Sequence, residues 1–116
     1  MNEQGREQFE RERQFLNDLL MKYSSKITKR FFNLETQVFA DGALDQKTKE
    51  VLGLVASLVL RCDDCVKYHL NRCHECGTSD QEIEEVIAVA LIVGGSITIP
   101  HIRRAVSFWD NLNSNN

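Results

Sequence analysis

The sequence predicts an all-α fold, a single bundle of about six helices. Three observations predict it. The 116 residues hold one proline and no stretch of strand-like alternation. Apolar residues recur at steps of three and four, the spacing of a helix face. Residues that start and stop helices fall at the joints between those stretches. One domain over 1–116 is the expectation at this length. Burial is modest in so short a chain, so association with further copies is a reasonable way to gain core.

The first helix is expected over about Glu7 to Tyr23, with Phe9, Leu16, Leu19, Leu20 and Tyr23 on one face. The second covers about Lys26 to Ala40, carrying Ile27, Phe31, Leu34 and Val38. Gly42 suits a left-handed residue after its end. Asp45 is the expected N-cap of a third helix, Gln46 to Leu60, in which Val51, Leu52, Val55, Leu58 and Val59 read as buried. A fourth helix runs from about Cys62 to Cys76, with Gly77 as its stop. No residue breaks the chain cleanly between Leu60 and Cys62, although Asp63 and Asp64 favour a fresh first turn at the positive end of the helix dipole. Ser79-Asp80-Gln81-Glu82 is a capping box. It opens a fifth helix, Asp80 to Val93, with Ile83, Val86, Ile87, Ala90 and Leu91 inward and Gly94-Gly95 at its end. Pro100 fits the first turn of a last helix reaching about Leu112, and Asn113 to Asn116 reads as an irregular tail.

Composition narrows the function classes. Apolar residues make up 42% and charged residues 27%, as in ordinary globular proteins. The net charge is −3, from 14 basic and 17 acidic residues, and no basic run stands out, so nucleic acid is not an expected partner. Met1 to Arg13 is polar and holds no signal-peptide core. The longest apolar run, Val51 to Leu60, is interrupted by Gly53 and Ser57 and is too short to span a bilayer. No membrane partner is therefore expected, and the expected location is cytoplasmic. Thiols stay reduced there, so four cysteines point to metal or redox chemistry before structural disulfides.

The chemistry centres on Cys62-Asp63-Asp64-Cys65-Val66-Lys67-Tyr68-His69. In a helix, Cys62, Cys65 and His69 share one stripe. A three-residue helical step separates Cα atoms by about 5 Å, inside the ~4.4–6.8 Å window of a disulfide. The pair can then open and close without unwinding the helix. His69, one turn beyond Cys65, is placed to take a thiol proton. A thioredoxin fold does not fit, because no βαβ pattern surrounds the pair.

A second pair, Cys73-His74-Glu75-Cys76, raises a zinc alternative: a non-catalytic, zinc-stabilised helical interaction module using all four cysteines. On one continuous helix Cys62 and Cys73 lie about 16 Å apart along the axis, so zinc requires a break near Tyr68 to Asn71. Cys73 and Cys76 otherwise read as small buried apolar groups or an auxiliary redox pair. Glu50 by itself reads as a glutamate complementing the dipole of the third helix. His74 and His101 read as solvated. Trp109 continues the Ile102, Ala105 and Val106 face, and reads as core or subunit contact.

Taken together, Glu50, Cys62, Cys65 and His69 give the spacing Glu-x11-Cys-x2-Cys-x3-His. This resembles the AhpD-like alkylhydroperoxidase branch of the carboxymuconolactone decarboxylase superfamily. The similarity runs from Leu44 to Gly95 and leaves the helices over 7–40 largely unmarked. The resemblance implies an all-α fold assembled as a homo-oligomer, a trimer or hexamer. It implies thiol-dependent reduction of a hydroperoxide or disulfide substrate, with electrons from a dithiol donor such as a lipoyl or thioredoxin-like group. It implies no metal, flavin or other cofactor. It also implies the roles: Cys65 attacks the peroxide, Cys62 resolves the sulfenic acid, and Glu50 and His69 relay protons through water. The dipole argument alone favours Cys62 as the more reactive thiol; the adjacent histidine favours Cys65. One departure stands out. Characterised AhpD enzymes carry a histidine just before the second cysteine, and here that residue is Asp64. Asp63 and Asp64 are expected to oppose thiolate formation. The decarboxylase branch lacks the cysteine pair, so lactone decarboxylation is a lesser alternative.

Overall fold

A computed structural model describes residues 3–114 as six α-helices and one short 3₁₀ turn. The helices are α1 (Glu3–Tyr23), α2 (Lys26–Val38), α3 (Gln46–Leu60), α4 (Asp63–Glu75), α5 (Asp80–Gly94) and α6 (Ile99–Asn113). The 3₁₀ turn, Ser96–Thr98, joins α5 to α6. The expected all-α class and helix order are therefore present, with no strand among the described residues. Of the expected tail, Asn113 closes α6, Ser114 caps it, and Asn115 and Asn116 lie outside the described residues.

The caps explain where the helices begin. Asp45 accepts from the Thr48 backbone N–H at 2.8 Å and starts α3. Ser79 and Glu82 form the reciprocal capping box of α5, at 3.1 and 2.9 Å. Gly77, at φ +79°, ends α4 as expected. Gly42 does not take the left-handed role. α2 stops earlier, at Val38, and the turn after it is held by side chains instead. The Gln46 N–H donates to Asp41 at 2.7 Å and Lys49 Nζ to the Ala40 carbonyl at 2.7 Å.

The join between α3 and α4 was not legible. Arg61 adopts φ 60°, ψ 44° and caps α3, while the Cys62 N–H reaches back to the Ser57 carbonyl at 3.0 Å. This is a Schellman-type stop made by a residue with a Cβ. It ejects Cys62 from the helix and makes it the N-cap of α4.

The core is built by α3, α4, α5 and α6. Leu54, Leu58, Val66, Leu70, Ala90 and Ala105 are sealed from solvent, with Trp109 and Leu112 closing the α6 side. α6 is tied to the start of α5 by Trp109 Nε1 and Asn113 Nδ2, which both donate to Asp80 Oδ1, at 2.8 and 2.7 Å. α1 touches this core through Phe9, edge-on to Phe108 at 5.7 Å. Beyond Phe9 the expected inward faces of α1 and α2 lie open. Leu16, Leu19, Leu20 and Tyr23 are exposed, and α2 buries no residue at all. Leu52 and Leu91, also expected inside, are exposed too. The Cα radius of gyration is 14.7 Å, against about 13 Å for a compact domain of this length, which fits α2 standing away from the core and α1 meeting it through its amino-terminal half. No helix among the described residues is long and apolar enough to cross a membrane.

Candidate active site

Cys62 and Cys65 are joined as a disulfide at the amino end of α4, with Cα atoms 5.3 Å apart. Cys62 is half-buried and Cys65 exposed. The Cys65 backbone N–H donates to the Cys62 sulfur at 3.3 Å. Cys62 thus replaces the serine or aspartate that ordinarily satisfies a first-turn N–H. The expectation that Cys62 sits inside the helix is corrected: the pair spans the cap and the first turn.

Cys65 and His69 lie on one face of α4, one turn apart. Across from that face, on α3, stands Glu50. Its side chain is 1% exposed, and Oε1 lies 2.8 Å from Nδ1 of His69. Its other oxygen accepts from Nε of Arg72 at 3.4 Å, and Arg72 Nη1 is shared with Glu75 at 2.9 Å. The reading of Glu50 as a partner of the α3 dipole does not hold: it lies past the first turn, which carries no acidic residue, and it is buried. A carboxylate this deeply buried requires cationic or hydrogen-bonding partners, and α4 supplies two, one turn apart. The His69 ring is further confined by Phe39, at 5.3 Å between ring centres, and by Tyr68 at 5.2 Å. Arg13 of α1 stacks over Tyr68 at 4.1 Å. With Nδ1 directed to a carboxylate, Nε2 is the ring atom left to exchange a proton with other groups.

The two acidic residues between the cysteines have different fates. Asp63 accepts from Nδ1 of His101 at 2.7 Å and from Nε of Arg104 at 2.8 Å. Partial burial raises its pKa, but these two bonds outweigh that and hold the carboxyl below its usual range. His101 is thus no solvated histidine; it pins α6 to the start of α4. Asp64 lines a cleft of ≈ 300 Å³ with Phe9, Arg13, Leu16 and Phe32. That cleft opens between α1, α2 and the cysteine end of α4.

The second cysteine pair is different in kind. Cys73 is fully buried, and burial, with the nearby Glu50 charge second, pushes its thiol up to about 12. Burial also raises Cys76. His74 is not simply solvated; its ring meets Trp109 edge-on at 5.6 Å. The four-cysteine zinc arrangement needs a break in α4, and α4 runs unbroken from Asp63 to Glu75. Cys73 faces the core while Cys62 and Cys65 are joined to each other. Among the described residues no three His, Cys, Asp or Glu side chains are grouped to hold a metal ion.

Arg72, Phe39, His101 and Arg104 were missed in the sequence. Arg72 alone left a signal, being three residues beyond His69 on the same helix face. The other three come from distant elements, and no local pattern marks them.

Comparison with known proteins agrees with this architecture. The sequence profile described as the carboxymuconolactone decarboxylase family matches residues 26–107. Protein 4 of the cox locus of Paracoccus denitrificans, uncharacterised, is 30% identical over 88 residues, covering 76% of this chain and 79% of its own. An uncharacterised protein of Cupriavidus necator is 27% identical over 74 residues, 64% of this chain and 66% of its own. A Thermotoga maritima protein is 54% identical, with a TM-score of 0.90 over 92% of this chain and 94% of that one. A second crystal structure of it, TM-score 0.88, describes a carboxymuconolactone decarboxylase family protein with a suggested part in the antioxidative response. A Legionella pneumophila protein of the same family, at 20% identity and TM-score 0.81 over 90% of this chain and 93% of that one, shares the fold.

Proposed function

This chain belongs to the carboxymuconolactone decarboxylase family, and we propose that within it the chain is a thiol-dependent peroxidase or disulfide reductase of the AhpD-like type. One observation carries this reading. A buried carboxylate–imidazole pair, Glu50 and His69 at 2.8 Å, stands one helical turn from a cysteine pair spaced to form and break a disulfide. The suggested antioxidative role of the Thermotoga maritima relative supports it.

In the reduced protein, His69 takes the Cys65 proton through Nε2, directly or by way of water, and Glu50 stabilises the imidazolium that forms. The Cys65 thiolate attacks the terminal oxygen of a hydroperoxide. The O–O bond breaks, the alkoxide takes a proton from the relay and leaves as an alcohol, and Cys65 becomes a sulfenic acid. Cys62 then attacks that sulfur. Its proton and the departing hydroxide make water, and the disulfide closes. A dithiol donor, lipoyl or thioredoxin-like, restores both thiols by exchange and leaves as its own disulfide. With a disulfide substrate only the exchange steps are needed. Cys65 is the better attacking group because it is exposed and one turn from the imidazole, whereas Cys62 is half-buried at the cap. This chemistry fits a reducing cytoplasm.

The test is hydroperoxide consumption with lipoyl, thioredoxin and glutathione donors compared side by side. Cys65→Ser should abolish it, and Cys62→Ser should leave a sulfenic acid trapped on Cys65. Unchanged turnover in the Cys65 variant rules the reading out.

A further inference from the structure

Gly53 lies three residues beyond Glu50 on α3, on the face that meets α4. A Cβ at this position would stand 2.6 Å from Cε1 of His69, 2.8 Å from Nε2 and 2.9 Å from Nδ1. All three approaches are closer than carbon atoms tolerate. The imidazole therefore rests against bare backbone, in a notch that only a residue without a side chain provides. The ring cannot easily swing aside. Nδ1 is bound to Glu50 at 2.8 Å, Phe39 and Tyr68 flank it, and the His69 side chain is 12% exposed. Gly53 is otherwise costly, since glycine in the middle of a helix destabilises it relative to alanine.

We infer that Gly53 is a positioning residue: with Glu50 it forms a two-part seat on α3 that fixes the orientation of the His69 ring. Glu50 chooses which nitrogen carries the proton, and the Gly53 notch lets the ring come close enough for that bond to form. A methyl group at 53 displaces the ring, lengthens or breaks the Nδ1–Oε1 bond, and releases the tautomer. The consequence for turnover rests on the peroxidase reading; the consequence for the ring does not.

The experiment compares wild type, Gly53→Ala, His69→Ala and the Gly53→Ala/His69→Ala pair. Nitrogen-15 NMR of the imidazole reports the tautomer independently of any activity. Wild type should show Nδ1 protonated and Nε2 free, and Gly53→Ala should lose that signature. Misplacing a catalytic group by about an ångström costs on the order of a hundredfold in rate, so turnover in Gly53→Ala should fall by about that factor. In the His69→Ala background the same substitution should change turnover by less than about twofold, and thermal stability should rise as the new methyl fills vacated space. An unaltered tautomer signature in Gly53→Ala overturns the inference, as does an equal loss of rate with and without the imidazole. If Gly53→Ala does not fold but the pair does, the clash is with the ring and the inference stands. If neither folds, the tight contact lies elsewhere and it fails. Should wild type show no peroxide turnover, the functional reading falls while the NMR comparison still decides the role of Gly53.

Discussion

Asp63 accepts a hydrogen bond from Nδ1 of His101 at 2.7 Å, which fastens the first turn of α4 to α6 next to Cys62. Arg104 takes the other carboxylate oxygen at 2.8 Å. The repulsion that two aspartates would exert on a thiolate is therefore partly cancelled, because one of them already faces two cationic or donor groups. The same bonds make a prediction about acid. Partial burial raises the Asp63 pKa, the His101 and Arg104 bonds lower it, and the net is a value below the ordinary 3.8. The folded state then holds fewer protons than the unfolded one just below pH 4. Stability from this carboxylate is complete above the unfolded pKa and is lost as pH falls through the depressed one. Asp63→Asn should flatten the acid limb of the melting temperature as pH falls below the ordinary carboxylate value of 3.8. The side chain is 38% exposed, so the effect should stay below about 1 kcal/mol. An identical acid limb in the variant would show that the clamp contributes nothing.

The Glu50 site separates two effects by choice of substitution. Glu50→Gln keeps the shape and one acceptor but removes the charge that stabilises an imidazolium. Peroxide turnover should drop by about 10²-fold while the fold persists. Glu50→Ala removes the acceptor from His69 and Arg72 together. An orphaned buried donor costs about 1–3 kcal/mol, so the denaturant midpoint should move clearly in this variant and little in the first. Undiminished turnover in Glu50→Gln would place Glu50 in the structure and outside the chemistry.

These contrasts mark what the sequence could carry. The α5 box, the Asp45 cap and the Gly77 stop are local events, settled by side chains within three or four residues, and each was read directly. The Glu50–His69 meeting bridges 19 positions; by itself Glu50 read as a partner of the helix dipole, and the family resemblance alone connected the two. The Asp63–His101 and Asp63–Arg104 bonds span 38 and 41 positions and had no pattern to reveal them. The Arg61 break was hidden for another reason. Left-handed stops ordinarily announce themselves by glycine, and arginine gives no such sign.

Cys73 should behave as the opposite of Cys65. Burial first, and then the Glu50 charge, raises its pKa from 9.0 to about 12. In the reduced, folded protein near neutral pH, Cys62 and Cys65 should alkylate promptly and Cys73 only at the rate of unfolding. The sign of the alkaline effect follows. Between about pH 9 and 12 the unfolded chain loses this proton and the folded one keeps it, so stability falls as pH rises. Cys73→Ala should shrink that slope, at the expense of some packing at neutral pH. Mass-mapped alkylation and denaturant titrations at rising pH check both, and prompt labelling of Cys73 in the folded protein would contradict them.

The open faces of α1 and α2 support a last prediction. Leu16, Leu19, Leu20 and Tyr23 on α1, and Ile27, Phe31, Leu34 and Val38 on α2, are all exposed, and contiguous apolar faces of this kind mark interaction surfaces. Partner copies covering these faces, in a trimer or hexamer, would resolve this, and sedimentation should show such a species. Phe31→Glu should shift it towards smaller ones while helicity from α3 to α6 is retained, since α2 buries nothing in the single chain. The site should notice. Phe39, which caps α2, lies 5.3 Å from the His69 ring. If assembly is what holds α2 in place, dissociation loosens one wall of the imidazole's enclosure. Specific activity should then fall on dilution through the assembly range, and Phe31→Glu should show the low value at every concentration. A monomeric wild type with concentration-independent turnover would refute both halves.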